Sequence, residues 1–81
     1  MTDQEILATF TRLLRDLLGT ESIVLTPATT RADVTDWDSL QYVMFIASVE
    51  TQLGIRFQVA DLESFKTIGD IMAETRRLLQ K

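Results

Sequence analysis

The amino-acid sequence predicts an all-α fold: a small bundle of three long helices and one short third helix, with a long loop between the first and second helices. Apolar residues recur every three or four positions in three segments of the 81-residue chain. Capping residues stand where those segments begin, and no segment alternates apolar and polar residues for more than a few positions. The length fits one domain, residues 1–81.

The first helix is predicted over residues 3–18. Thr2 and Glu5 form a capping-box pattern at its start, and Gly19 suits a left-handed C-terminal cap. Its apolar residues keep helical spacing and form one face: Ile6, Leu7, Phe10, Leu13, Leu14, Leu17 and Leu18.

Residues 19–37 are predicted to form the long loop. They contain the only proline of the chain, Pro27, and they lack a helical period. A loop of this length must bury side chains to stay on the domain. Its candidate anchors are the apolar residues Ile23, Val24, Leu25, Val34 and Trp37.

The second helix is predicted from Ser39 to Leu53, with Asp38 as its N-cap and Gly54 at its end. We expect a stripe at steps of three and four to face the core: Leu40, Val43, Ile46, Val49 and Leu53. Another side then carries Gln41, Met44, Ser48 and Thr51.

A single helical turn is expected around residues 59–64, followed by an inward-pointing Phe65. Thr67 with Asp70 predicts the cap of a last helix over residues 68–80. The apolar stripe of that helix is Ile68, Ile71, Met72, Thr75, Leu78 and Leu79. Basic residues gather at its C-terminal end, as the helix dipole favours: Arg76, Arg77 and Lys81.

Composition excludes several classes of function. Cysteine and histidine are both absent, which removes disulfides, Cys/His metal sites and every Ser-His or Cys-His couple, so we predict no catalytic residue and no metal ligand. Asp36 and Asp38 imitate the start of a calcium loop, but Gln41 stands where glycine is needed and Ala47 where glutamate is needed.

Charge and hydropathy exclude further partners. The net charge of −4 disfavours nucleic acid. The longest apolar run, Tyr42 to Ala47, is too short to span a membrane, and the N-terminus is acidic where a signal peptide is basic. We therefore expect a cytoplasmic protein without a membrane span.

The excess of acidic charge lies in the first half of the chain. Residues 1–40 hold seven acids and three bases, whereas residues 41–81 hold five of each. Asp33, Asp36 and Asp38 cluster just before the second helix. Two interpretations stay open: Asp36 and Asp38 complement the helix dipole, or the cluster attracts basic partner proteins.

Ser39 is expected at the surface in the first turn of the second helix, where unpaired backbone N–H groups stabilise a phosphate. The chain has no histidine to deprotonate it, and no motif places Lys66 or Lys81 beside it, so a serine hydrolase is disfavoured. The alternative is that Ser39 has no function beyond being a residue that a helix start tolerates.

Residues 33–40 read Asp-Val-Thr-Asp-Trp-Asp-Ser-Leu, with a serine at the start of a predicted helix. Characteristic residues continue along the rest of the chain: Val43, Ile46, Val49, Glu50, Leu53, Gly54, Ile55, Phe57, Leu62, Phe65, Thr67, Ile68, Gly69, Asp70 and Ile71. In these positions, and over nearly its whole length, the chain resembles the acyl carrier proteins and their peptidyl and aminoacyl carrier relatives.

The resemblance implies a cofactor. Ser39, between Asp38 and Leu40 in the Asp-Ser-Leu motif, would be esterified with 4′-phosphopantetheine from coenzyme A by a magnesium-dependent transferase. The thiol of this arm would hold an acyl or aminoacyl group as a thioester. A chain without cysteine must import that sulfur.

The resemblance also implies a monomeric carrier that is not an enzyme. Its partners would be a phosphopantetheinyl transferase, a loading ligase or transferase, and downstream biosynthetic enzymes. A cleft for an acyl chain would be lined by Val43, Ile46, Leu62 and Ile68, with plain core packing as the alternative. The partner surface would include Asp36, Gln41, Tyr42, Met44, Ala47 and Glu50. The alternative is that Tyr42 and Met44 pack under the long loop.

Departures from the family pattern favour a specialised pathway. Fatty-acid-synthesis carriers show acidic residues where this chain has Gln41 and Met44, and only Glu50 keeps the acid. Trp37 before Asp38 is similar to free-standing carriers of specialised pathways. We therefore expect a polyketide, nonribosomal-peptide-like or other specialised pathway. The alternatives are a housekeeping fatty-acid carrier and an unmodified helical adaptor.

Overall fold

In the computed structural model, which describes residues 1–80, the chain forms four α-helices. They are α1 (Asp3–Leu18), α2 (Ser39–Leu53), α3 (Val59–Ser64) and α4 (Ile68–Leu79), and a short 3-10 helix, Arg31–Asp33, lies in the long loop. Within residues 1–80 there is no β-strand, only an isolated bridge between Thr30 and Thr67. The predicted all-α class is confirmed, and Lys81 lies outside the described residues.

Local capping sets the ends of the helices. The N–H of Thr2 donates to Glu5 Oε1 at 2.8 Å, and the N–H of Glu5 donates back to Thr2 Oγ1 at 3.1 Å. Thr67 and Asp70 repeat this capping box at α4. Gly19 and Gly54 end α1 and α2 with left-handed φ of 69° and 66°. The bounds predicted for α1 and α2 therefore agree with the structure, whereas α4 ends one residue early.

The core is built around aromatic rings. Phe45 is fully buried and meets Phe10 and Trp37 edge to face, each with ring centroids 5.4 Å apart. Three of the predicted loop anchors are buried in the same cluster, namely Ile23, Leu25 and Trp37. Val24 is not an anchor, since it is 73% exposed. Residues 23–25 therefore alternate between buried and exposed, and Val34 is partly buried.

The predicted orientation of α2 is wrong over its first two turns. Leu40 and Val43 are 67% and 58% exposed, and Phe45 joins Ile46 and Val49 in the core instead. The physical reason is rotation: steps of three fall short of a full helical turn. Leu40 and Val49 are nine residues apart, which at about 100° per residue puts them about 180° apart.

The long loop is bound to the start of α4. The N–H of Gly69 donates to the carbonyl oxygen of Pro27 at 2.8 Å, and the N–H of Ile68 donates to that of Thr29 at 2.9 Å. A Cβ at position 69 would lie 2.9 Å from the Pro27 oxygen, so only glycine fits there without movement. This attachment places loop residues beside the N-terminal ends of α2 and α4.

None of the helices described here, in residues 1–80, meets the length and hydropathy that crossing a bilayer requires.

Candidate functional site

Ser39 is the first residue of α2 and is exposed. Asp38, the N-cap, accepts a hydrogen bond from the N–H of Gln41 at 2.9 Å. The N–H groups of Ser39 and Leu40 have no hydrogen-bond partner among residues 1–80, and neither does the Ser39 hydroxyl. The Ser39 hydroxyl oxygen therefore lies at the positive end of a 15-residue helix, next to two backbone N–H groups that are free to donate.

The three acids before α2 differ in their roles. Asp38 caps α2, and Asp33 accepts a hydrogen bond from the N–H of Thr30 at 2.9 Å, which lowers the pKa of the Asp33 carboxyl. Asp36 is exposed and adopts a left-handed φ of 69°, which aspartate tolerates better than most residues. Helix and turn capping accounts for Asp33 and Asp38, and Asp36 is left facing solvent.

A groove of about 840 Å³ opens beside Ser39. Its apolar wall comes from Val43 of α2, Val59 and Leu62 of α3, and Ile68 of α4. Val43, Leu62 and Ile68 were predicted to line such a cleft, and the structure brings all three together there. Ile46, predicted with them, is not among the lining residues; it is 3% exposed and faces the core with Phe45.

The groove lining also includes polar residues from the long loop and the α3–α4 connection. Thr29, Thr30 and Arg31 line the groove from the loop, and Lys66 and Thr67 line it from the connection. The groove lining therefore combines apolar side chains with hydroxyl and cationic groups.

Tyr42 packs between the long loop and α3. Its hydroxyl donates to the carbonyl oxygen of Leu62 at 2.9 Å, its ring lies 6.0 Å from that of Trp37, and the Arg31 guanidinium stands 5.3 Å from its ring centroid. Burial raises the pKa of Tyr42, partly offset by the Arg31 charge. Of the two interpretations of Tyr42, this geometry matches packing under the loop.

Trp37 has a property that its sequence position does not reveal. It is 5% exposed and contributes to the groove lining, yet its indole Nε1 is sealed from solvent and has no hydrogen-bond partner in the part of the chain described. Leaving a buried donor unpaired costs about 1–3 kcal/mol. Gln41 Oε1 is the other buried side-chain atom in this state within residues 1–80.

The residues predicted for partner contact are divided between surface and interior. Asp36, Met44 and Ala47 are exposed, whereas Gln41, Tyr42 and Glu50 are partly buried. Glu50 accepts a hydrogen bond from the N–H of Phe57 at 2.8 Å and so holds the segment that follows α2.

The sequence analysis placed Met44 on the partner surface but turned Leu40 and Val43 toward the core; in the structure all three belong to an exposed apolar surface near Ser39, which we call the apolar rim. It consists of Leu40, Val43, Met44 and Val59, which are 67%, 58%, 45% and 75% exposed. The available signal was helical spacing, since Val43 lies four positions after Ser39 and Met44 four positions after Leu40. Large side chains this exposed in one region are typical of a protein contact surface.

Comparisons with known proteins agree with this geometry. A protein-family model described as a phosphopantetheine attachment site matches residues 8–74. The chain is 30% identical over 78 residues to the meromycolate extension acyl carrier protein of Mycobacterium tuberculosis, covering 96% of this chain and 68% of that one. It is 28% identical over 76 residues to an acyl carrier protein of Thermotoga maritima, covering 94% of each. The solution structure of a holo acyl carrier protein from Geobacter metallireducens superposes with a TM-score of 0.85 at 32% identity, over 91% of this chain and 85% of that one.

Proposed function

The chain belongs to the phosphopantetheine-binding family of acyl carrier proteins, and from that premise we propose that Ser39 is the residue to which its phosphopantetheine is attached. One observation carries this assignment. Ser39 presents an exposed, unbonded hydroxyl at the first position of α2, directly beside the groove. Three other serines, Ser22, Ser48 and Ser64, lie away from the start of α2 and do not line the groove.

The residues around Ser39 fit a phosphodiester. The unpaired N–H groups of Ser39 and Leu40 and the α2 dipole favour its negative charge. The carboxylates of Asp36 and Asp38 oppose it, but both are exposed, so water and salt weaken that repulsion. When attached, the arm supplies the thiol that a chain without cysteine lacks.

Attachment requires a separate transferase, because the chain has no histidine and no described side chain accepts a hydrogen bond from the Ser39 hydroxyl; the neighbouring Asp38 carboxylate caps α2 instead. The serine oxygen would form a bond to phosphorus while the diphosphate bond of coenzyme A breaks. The nucleotide half of coenzyme A would leave, and the transferase would take the serine proton. The carrier then presents its cargo, and other enzymes carry out the chemistry.

We propose that the apolar rim is where those enzymes dock. Leu40, Val43 and Met44 are exposed on α2 just after the attachment point and carry no charge, so docking would depend on apolar burial. Acidic Asp36 and Asp38 would steer basic partners toward it. The apolar rim, and relatives that include meromycolate extension carriers, support a specialised acyl pathway over general fatty-acid synthesis. We place this carrier in the cytoplasm, acting as a monomer with residues 1–81 as one carrier domain.

The attachment is tested by mass spectrometry. We expect the purified protein to gain the mass of one phosphopantetheine after incubation with coenzyme A, magnesium and a broad-specificity phosphopantetheinyl transferase. Ser39→Ala should gain nothing, and the matched control Ser48→Ala, on the same helix, should gain the full mass. Loss of the gain in both variants, or its persistence in Ser39→Ala, would show that the assignment is wrong.

A second experiment separates the specialised carrier from the housekeeping alternative. The modified protein is offered to fatty-acid elongation enzymes beside a known fatty-acid-synthesis carrier. We expect slow turnover of this protein, because the elongation enzymes meet Gln41 and Met44 where their usual carriers have acids. Turnover equal to that of the known carrier would favour the housekeeping role.

A further inference from the structure

Building on the proposed attachment at Ser39, we propose that Arg31 is a positioning residue for the arm, because its guanidinium binds the phosphodiester that joins the arm to Ser39. The ligand of Arg31 is therefore the negatively charged phosphate itself, and not the acyl group at the far end of the arm. By holding the phosphate, Arg31 directs the start of the arm toward the groove.

The charges near Ser39 are the first observation. The protein has a net charge of −4, and the exposed carboxylates of Asp36 and Asp38 directly precede Ser39. A phosphodiester at Ser39 adds one more negative charge, which these carboxylates repel. Between positions 16 and 55 the chain has a single basic residue, Arg31. It is therefore the cation that this half of the molecule offers to the phosphate.

The second observation is where the fold holds the backbone of Arg31. Arg31 begins the short 3-10 helix of the long loop, and its carbonyl oxygen accepts a hydrogen bond from the N–H of Val34 at 3.2 Å. Two residues earlier, the carbonyl oxygen of Thr29 is bound to the N–H of Ile68 at the start of α4. Arg31 and Ser39 both line the groove of about 840 Å³. Both are exposed, so a group attached to Ser39 and the guanidinium share the same open space.

The third observation is that the Arg31 side chain is supported but has no anionic partner. Its guanidinium carbon lies 5.3 Å from the centroid of the Tyr42 ring. Tyr42 follows Ser39 by three positions on α2, and side chains at this spacing are neighbours on a helix. Among residues 1–80, no carboxylate lies within ion-pair distance of Arg31. A guanidinium whose face rests on an aromatic ring keeps its N–H groups free, and they match two oxygens of a phosphate.

Lys66 is the other cation of the groove lining and provides a matched control. It lies beside Asp70, whose pKa is lowered by hydrogen bonds from the N–H groups of Lys66 and Thr67 and further by the Lys66 charge. The Lys66 charge therefore already acts on a carboxylate of the protein. Lys66→Gln removes the same charge from the same groove as Arg31→Gln, and it should leave the phosphate unaffected.

The test measures two NMR signals, that of the Arg31 Nε–H group and that of the phosphorus in the arm. The wild-type protein is compared in three states: unmodified, with the arm alone, and with the arm carrying a malonyl group. In the second state the phosphate is the only anion added. Unmodified Arg31→Gln assigns the Nε–H signal by its loss, and intact mass confirms each loading. The phosphorus signal is then recorded for the loaded wild type, Arg31→Gln, Arg31→Lys and Lys66→Gln, at low and high salt.

We expect the Arg31 Nε–H proton to shift downfield when the arm alone is attached. The phosphorus signal should differ from that of the wild type in Arg31→Gln but not in Lys66→Gln. Arg31→Lys should fall between the wild type and Arg31→Gln, because an ammonium group keeps the charge but cannot bind two oxygens in a plane. High salt should reduce the difference between the wild type and Arg31→Gln, since it screens an exposed ion pair.

An Arg31 Nε–H signal that does not move in the correctly loaded wild type overturns the inference and leaves attachment at Ser39 standing. Phosphorus shifts of equal size in Arg31→Gln and Lys66→Gln also overturn it, because they would show a general effect of charge. A signal that moves only when the malonyl group is present assigns Arg31 to the cargo and overturns it as well. If Arg31→Gln is not modified, the Nε–H signal of the wild type decides. If no sample gains mass, attachment at Ser39 and this inference both fail.

Discussion

Substituting Gly69 by alanine should destabilise the fold through a single contact between the long loop and α4. The added Cβ would lie 2.9 Å from the Pro27 carbonyl oxygen and 3.4 Å from the Pro27 Cβ. Because the nearest atom is backbone, relief requires moving the loop, which stretches the 2.8 Å hydrogen bond from the Gly69 N–H to Pro27.

The change in the free energy of unfolding caused by Gly69→Ala combines three effects. Overpacking costs about 1–3 kcal/mol, and weakening one backbone hydrogen bond costs about 1 kcal/mol. The greater helix propensity of alanine returns at most about 1 kcal/mol. We expect a net loss of about 1–3 kcal/mol, and each kcal/mol lowers Tm by roughly 4–8 °C in a chain of this size.

The assay is urea unfolding followed by circular dichroism, with Gly54→Asn and Gly69→Asn as a matched pair. Gly54 has a left-handed φ of 66° and open space around it, so asparagine should cost little there. Gly69→Asn should be at least as harmful as Gly69→Ala. Equal or higher stability of Gly69→Ala, or a larger loss at position 54 than at 69, would refute the argument from close approach.

Three further predictions concern the surface, the seam between α2 and α3, and acid stability. Met44→Glu should change the free energy of unfolding by no more than about 0.5 kcal/mol, because Met44 is 45% exposed. The same substitution should slow the reactions of downstream enzymes with the loaded carrier, because it weakens docking. A large fall in Tm would place Met44 in the core. Tyr42→Phe should lower the free energy of unfolding, measured in urea, by about 1 kcal/mol, because the Leu62 carbonyl loses its donor. An unchanged free energy would show that this hydrogen bond does not stabilise the fold. The N–H groups of Lys66 and Thr67 lower the pKa of Asp70, so this carboxylate stabilises the fold above the ordinary aspartate pKa of about 4 and ceases to do so as pH falls through its lowered value. Asp70→Asn should therefore flatten the dependence of Tm on pH below about pH 4, and an unchanged slope would contradict that origin.

Most of the fold could be predicted from local sequence chemistry, and the prediction was wrong where that local chemistry allows more than one arrangement. Caps such as Thr2 with Glu5 act within one turn, so the ends of α1 could be read directly. The orientation of α2 could not, because apolar residues occupy every position from Tyr42 to Ala47 and leave no single face. Packing against Phe10 and Trp37 turns Phe45 inward, which leaves Val43 facing outward.

The candidate site also has features that the sequence predicts and features that it does not. Ser39 at a helix start was readable from Asp38 and the motif. The unpaired nitrogen of Trp37 was not, because hydrogen-bond satisfaction depends on every neighbour in three dimensions. Nor was the approach of Gly69 to Pro27, which joins residues 42 positions apart.

The two bonds from the start of α4 to the loop also govern how the molecule opens. Pro27 and Thr29 accept them midway along a segment that otherwise joins only α1 and α2. Detachment of the C-terminal helix would therefore release the wall that carries Thr29, Thr30 and Arg31. Amide exchange at Ile68 and Gly69 should report loop release and helix detachment as one cooperative event, so that the capacity to shelter a tethered group and the docking of α4 are lost together.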